Sequence, residues 1–184
     1  EFDEPKFEVT NYTSPDTQNW EFIARGDTNW VAATTDGKFS YSSNLISWNP
    51  TITIADGVVK DLIYTGSNFI LLYNADNSGN PTSLFFISTN GESFTQAMFP
   101  FSAKWLDIAA DREGTVIAIN NSATNAAISN NNGLSWSSLT LPSNTGAQYD
   151  VIQYGNGIWV ALDRTNGDIV YSTDGGSNWT LVNG

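Results

Sequence analysis

Tyr171-Ser172-Thr173-Asp174-Gly175-Gly176-Ser177-Asn178-Trp179 is the stretch on which the fold turns, because three earlier segments share its ending. These are Tyr41-Ser42-Ser43-Asn44-Leu45-Ile46-Ser47-Trp48, Ile87-Ser88-Thr89-Asn90-Gly91-Glu92-Ser93-Phe94 and Ile128-Ser129-Asn130-Asn131-Asn132-Gly133-Leu134-Ser135-Trp136. Their serines fall 46, 41 and 43 residues apart. A chain that repeats itself at that interval is an array of small units that stack on one another, none of which buries its apolar face alone.

Working outward, a second shared pattern precedes each ending. It is seen in Ile23-Ala24-Arg25-Gly26-Asp27-Thr28-Asn29-Trp30-Val31-Ala32, in Leu62-Ile63-Tyr64-Thr65-Gly66-Ser67-Asn68-Phe69-Ile70-Leu71 and in Ile152-Gln153-Tyr154-Gly155-Asn156-Gly157-Ile158-Trp159-Val160-Ala161, with a weaker copy from Ile108 to Ala118. Each unit reads as four short strands. The first ends at a Gly-containing turn, the second is an aromatic-aliphatic run, the third closes on the serine motif, and the fourth starts at the Trp or Phe. Short β-branched and aromatic runs bounded by Gly, Asn and Asp make antiparallel strands, and no segment sustains a helical period. About 43 residues is the length of a propeller blade. The expected fold is therefore all-β, a β-propeller-type array of four blades, with repeats at about 20–57, 58–102, 103–145 and 146–184.

The spacing within the serine motif suits a hairpin turn. An Asp or Asn side-chain oxygen accepts backbone N–H groups a few residues on, Gly takes the positive-φ position, and the indole fills the gap toward the neighbouring strand. Ser172, Asp174, Gly176 and Trp179 match the Asp box of sialidase-like repeats, Ser-x-Asp-x-Gly-x-x-Trp, in full. Ser129, Asn131, Gly133 and Trp136 carry Asn for Asp. The shorter copies are Ser88, Asn90, Gly91 and Phe94, and Ser42, Asn44 and Trp48, the last without the Gly. The chain thus resembles Asp-box propellers of bacteriophage tail and fibre proteins and of exported bacterial proteins. Turn chemistry accounts for these residues without a ligand, and the resemblance implies that they lie on the rim away from any binding face.

Phe7-Glu8-Val9-Thr10-Asn11 sits 13 residues ahead of Trp20, as Trp136-Ser137-Ser138-Leu139-Thr140 sits 13 ahead of Tyr149. Residues 7–11 are accordingly expected to be one extra N-terminal strand, the last of a fifth blade. Propellers close with four to eight blades. A closed four-bladed ring, an open piece of a larger propeller, and a ring completed by other subunits all fit the sequence.

Composition narrows the chemistry. The 184 residues carry 19 acidic and 7 basic side chains, a formal charge of −12, with no histidine and no cysteine. Ser–His–Asp and Cys–His catalysis, thiolate zinc sites and disulfides are all excluded. So acidic a chain repels nucleic-acid phosphate and anionic membranes. No apolar run approaches the roughly 20 residues of a membrane helix, and the first residues lack a basic and apolar leader, so no membrane insertion is expected. The abundance of Asn, Ser and Thr, without cysteine, suits a virion or extracellular setting.

Function is then expected on the loops opposite the serine turns. These are the connections around residues 13–19, 49–59, 97–104 and 142–148, and those around 34–38, 74–83, 120–126 and 163–168. Trp20, Trp105 and Tyr149, at strand starts, could stack a sugar face or pack between blades; Asp76, Asn80 and Arg164 could add polar contacts. Asp76, Asn77 and Asn80 form an oxygen-rich loop, but Ile87 stands where a calcium loop needs its last carboxylate. No metal and no cofactor is expected. Sialidases hold the substrate carboxylate with an arginine cluster; Arg25, Arg112 and Arg164 are the only arginines here, none in an Arg-Ile-Pro setting, and the first two occupy equivalent repeat positions. The expected function is non-catalytic recognition of a cell-surface glycan or docking onto another structural or virion protein, in a homo-oligomer or a larger propeller that completes the ring. A purely structural role and a carboxylate-based glycoside hydrolase are the alternatives.

Overall fold

The computed structural model describes residues 14–54, 56–75, 80–122, 124–144 and 146–182. The extra strand expected at 7–11 lies outside them. Among the described residues there is no helix; the elements are sixteen strands in four separate four-stranded sheets. The first sheet is β1 (Trp20–Arg25), β2 (Trp30–Thr34), β3 (Lys38–Ser42) and β4 (Ile52–Thr53). The second is β5 (Val58–Tyr64), β6 (Phe69–Asn74), β7 (Thr82–Ser88) and β8 (Thr95–Ala103). The third is β9 (Trp105–Ala110), β10 (Val116–Asn120), β11 (Asn125–Ser129) and β12 (Ser137–Thr140), and the fourth is β13 (Val151–Gly155), β14 (Ile158–Leu162), β15 (Ile169–Ser172) and β16 (Thr180–Val182). Each sheet is an antiparallel meander in chain order.

The second strand of each sheet explains the architecture. Phe69-Ile70-Leu71-Leu72 in β6 is buried on both faces, so every residue of it is apolar and the period-2 alternation disappears. One face packs on the preceding blade and the other on the following one. Val31, Ala33 and Phe39 of the first blade meet Leu62, Phe69 and Leu71 of the second. Ile70, Leu72 and Phe85 of the second meet Trp105 and Ile108 of the third. Ile117, Ile119 and Ala126 of the third meet Ile152, Trp159 and Ala161 of the fourth. Among the described residues no buried cluster joins the fourth blade to the first.

One expected loop is a strand. Residues 97–104 read as a connection, but β8 runs through Ala103 and only Lys104 separates it from β9. Ala97, Phe99, Phe101 and Ala103 alternate inward there, with Met98 and Pro100 outward. Pro100 is tolerated because β8 is an outermost strand.

Candidate functional site

The serine turns come first, because one joins the third strand to the fourth in every blade. In each, the serine hydroxyl is the hub. Ser172 Oγ accepts the Gly176 N–H at 3.0 Å and donates to Asp174 Oδ1 at 2.8 Å, while Asp174 Oδ1 also accepts the Asn178 N–H. The Asn178 N–H and side chain, with the Ser172 hydroxyl, hold the Asp174 carboxyl down to about 2. Ser129, Ser88 and Ser42 accept in the same way from Gly133, Gly91 and Leu45. Trp136 and Trp179 donate their indole N–H to the turn glycine's carbonyl.

Those four residues after the serine, Leu45, Gly91, Gly133 and Gly176, all have positive φ, between 62° and 84°. The three glycines have a further reason to be glycine: a β-carbon there would strike Val31, Ile70 or Ile117 of the preceding blade. Leu45, in the first blade, has no described blade in front of it. The copy without the glycine is thus the one with no described blade in front of it.

Both ends are apolar and open. Ile23, Leu62, Ile108 and Ile152 hold equivalent strand-one positions, paired with Ala32, Leu71, Ala118 and Ala161. The last three are 4, 1 and 0% exposed against the preceding blade, whereas Ile23 is 59% exposed. At the other end Ile169 is 40% exposed, and its equivalents Phe39, Phe85 and Ala126 are 2, 1 and 0% exposed. On the first blade's leading face Trp20, Ile23, Ala32 and Trp48 line an apolar slot of about 290 Å³. The Trp20 indole N–H is buried there without a partner, while the equivalent N–H of Trp105 donates to Thr82 O of the preceding blade at 2.8 Å.

The inner edges of β1, β5, β9 and β13 together line an axial cavity of about 280 Å³, with Arg25, Asp61, Tyr64, Arg112, Gln153 and Tyr154 among its polar groups. Asp61 Oδ1 accepts the Leu62 N–H at 2.7 Å, and Asp107 accepts the N–H groups of Ile108 and, across the blade boundary, Ile152 at 2.8 Å. The two carboxyls are close enough to act on each other's ionisation. Burial, and then the neighbouring Asp107 charge, push the Asp61 carboxyl up to about 7; burial also raises Asp107. Asp61 therefore keeps its proton to a higher pH than an ordinary carboxyl.

Of the candidate glycan ligands, Trp105 and Tyr149 are corrected: both are fully buried and offer no ring face to a sugar. Trp105 stacks on Phe99 with centroids 3.9 Å apart, and Tyr149 donates its hydroxyl to Pro142 O. Burial, followed by the charges of Asp168 and Asp163, lifts that phenol to about 12. Trp20 is half-buried in the end slot. Arg164 is exposed and pairs with Asp150 at 2.7 Å. Asn80 is exposed, and Asp76 lies outside the described residues. No hydrogen bond, ion pair or ring contact joins Trp20, Trp105, Tyr149 and Arg164. Among the described residues no cluster of carboxylates could hold a metal ion.

Sequence reasoning missed Asp163, which is buried between two loops. Its carboxyl accepts the N–H groups of Gln148, Thr165 and Asn166 and the Asn166 side chain. Burial alone would raise it, but these donors bring it to about 2. Asn144 binds Asp168 likewise, so the 142–148 and 163–168 loops are tied together. The signal was present: an Asp that begins a turn and is followed three residues later by Asn.

No family model and no curated protein matches the chain. Its structure does have neighbours. A streptogramin B lyase structure superposes with a TM-score of 0.66 at 15% identity, covering 93% of this chain and 56% of that one. The β-propeller domain of Cps50 (Swd1) from Myceliophteria thermophila gives 0.61 at 16% identity, covering 84% and 53%. The computationally designed Ika4 protein gives 0.63 at 11% identity, covering 91% and 98%. At these identities the likeness defines the fold: the chain is a β-propeller module of four blades. It spans about half the length of the lyase and Swd1 chains.

Proposed function

We propose that the chain is a non-catalytic β-propeller module that works by docking a protein against its end blades, in a virion or extracellular assembly such as a phage tail or fibre or an exported bacterial protein. The observation that carries the docking is Ile23, exposed where three equivalent residues are buried against a blade. A contiguous apolar face rimmed by polar residues is the signature of an interaction surface. The Asp-box resemblance of the serine turns and the cysteine-free surface support the setting. Two of the three aromatic platforms for a glycan are spent on the core, which weighs against sugar stacking. The buried carboxyls Asp61 and Asp107 spend oxygens on the backbone N–H groups of Leu62, Ile108 and Ile152, which weighs against a hydrolytic carboxylate pair.

The test is titration of the dilute chain with an anilinonaphthalene dye, run beside a glycan array. Dye fluorescence should rise on the wild type and fall away in the Ile23→Asp, Ile169→Asp double variant, with no saturable glycan binding. A dye-silent chain that binds a glycan saturably would replace docking with sugar recognition.

A further inference from the structure

We infer that the docked partner is a second copy of this chain, placed head to tail so that the fourth blade of each protomer seats on the first blade of the other. This rests on the docking reading. Three internal interfaces already show what a trailing blade face and a leading blade face do when they meet, and the two ends carry one of each. Ile169 and Tyr171 of β15, with Val160 and Leu162 of β14, present the trailing face; Trp20, Ile23 and Trp48 present the leading one.

The ends also depart from the internal pattern in a matched way. At two of the three internal boundaries the residue before strand two clips the next blade's serine turn: Asn29 Nδ2 donates to Asn90 O at 2.9 Å, and Asn68 Nδ2 to Asn132 O at 3.0 Å; at the third, Thr115 holds that position. Ile158, 39% exposed, holds that position in the fourth blade. The turn it would meet, in the first blade, carries Leu45 where the internal turns carry glycine. An amide clip onto a glycine turn is replaced on both sides by apolar side chains, Ile158 and Leu45. Leu45 fills the space in which internal glycines touch their neighbour, so this contact is wider than the internal ones by the depth of a side chain, over Val160.

Closure fixes the number of copies. One head-to-tail contact leaves a leading and a trailing face free and would propagate as a filament, whereas two identical contacts between two copies leave none. Two copies make eight blades, within the range in which propellers close. Each copy carries a formal charge of −12, so screening salt should strengthen the association.

The experiment is sedimentation equilibrium of the 184-residue chain, 20.0 kDa as a monomer, with Ile23→Asp, Ile169→Asp and an equimolar mixture of the two. Both residues are exposed, so the internal cores stay intact, which circular dichroism checks. The wild type should stop at twice the monomer mass, and each variant alone should be monomeric. The mixture should recover dimer, because one of its two contacts is then wild type on both sides, with affinity at least about tenfold below wild type because the second contact no longer adds to the first. Dimerisation by either variant alone would mean face-to-like-face pairing and would overturn the proposal, as would a mass that keeps growing with concentration. A wild-type monomer at every concentration would overturn it too. If that monomer still binds the dye through Ile23 and Ile169, docking onto a different protein stands; if it does not, that reading falls as well.

Discussion

Gly176 of the fourth blade faces Ile117 of the third so closely that a β-carbon on Gly176 would stand 2.8 Å from Ile117 Cδ1, and its φ of 84° is one that L side chains rarely adopt. Turn geometry and blade packing thus demand glycine for separate reasons. Gly176→Ala should destabilise by about 2–4 kcal/mol, the sum of a left-handed backbone penalty and local overpacking. Urea unfolding with unchanged m-value measures it.

Leu45 supplies the contrast. It has the same backbone, φ 62°, but no described blade in front of it. Leu45→Gly relieves the left-handed strain while giving the unfolded chain more freedom, so the two effects offset and the change in stability should stay within about 1 kcal/mol. In sedimentation the same variant should weaken self-association, since it removes an apolar group from the end face. Destabilisation as large as that of Gly176→Ala would mean that Leu45 is buried against something.

The blades were legible because the serine turn combines local rules: an acceptor side chain, a left-handed residue and an aromatic at fixed offsets. The second strands were legible for the same reason, as unbroken apolar runs such as Ile70-Leu71-Leu72. The end faces were only half legible. That some end would be open followed from counting blades, but which residues it exposes depends on three-dimensional equivalence: Ile23 and Ile108 look alike in sequence, and what distinguishes them is that no described blade stands in front of Ile23. Trp105 and Tyr149 misled because an aromatic at a strand start has the same sequence whether it stacks on Phe99 or on a ligand. Asp61 and Asp107 lie 46 residues apart and meet only because two inner strands converge at the axis.

Ser172 is almost fully buried, and its hydroxyl both accepts the Gly176 N–H and donates to Asp174. Ser172→Ala leaves a buried N–H unpaired, at a cost of about 1–3 kcal/mol. Ser172→Thr keeps the hydroxyl and should recover part of that. Thermal melts of the three proteins at neutral pH separate the loss of the hydrogen bonds from the loss of volume.

Asp163 and Asp174 have folded-state carboxyls lowered to about 2, so the stability they contribute is present above the ordinary carboxylate value near 4 and is lost as pH falls toward 2. Asp61 has the opposite sign. Raised from 3.8 to about 7, it binds its proton more tightly folded than unfolded, so its contribution is fully present below about pH 4 and is lost as pH rises through about 7. Two limbs should therefore bound the melting temperature: a fall below pH 4 from Asp163 and Asp174, and a decline between about pH 4 and 8 from Asp61. Asp61→Asn keeps an oxygen for the Leu62 N–H without titrating. It should flatten the upper limb, leave the acid limb unchanged, and make the variant more stable than the wild type at pH 8. General repulsion in an acidic chain also grows with pH, but that part of the decline would persist in Asp61→Asn. Parallel curves for wild type and Asp61→Asn would show that Asp61 does not keep its proton above the ordinary carboxyl range.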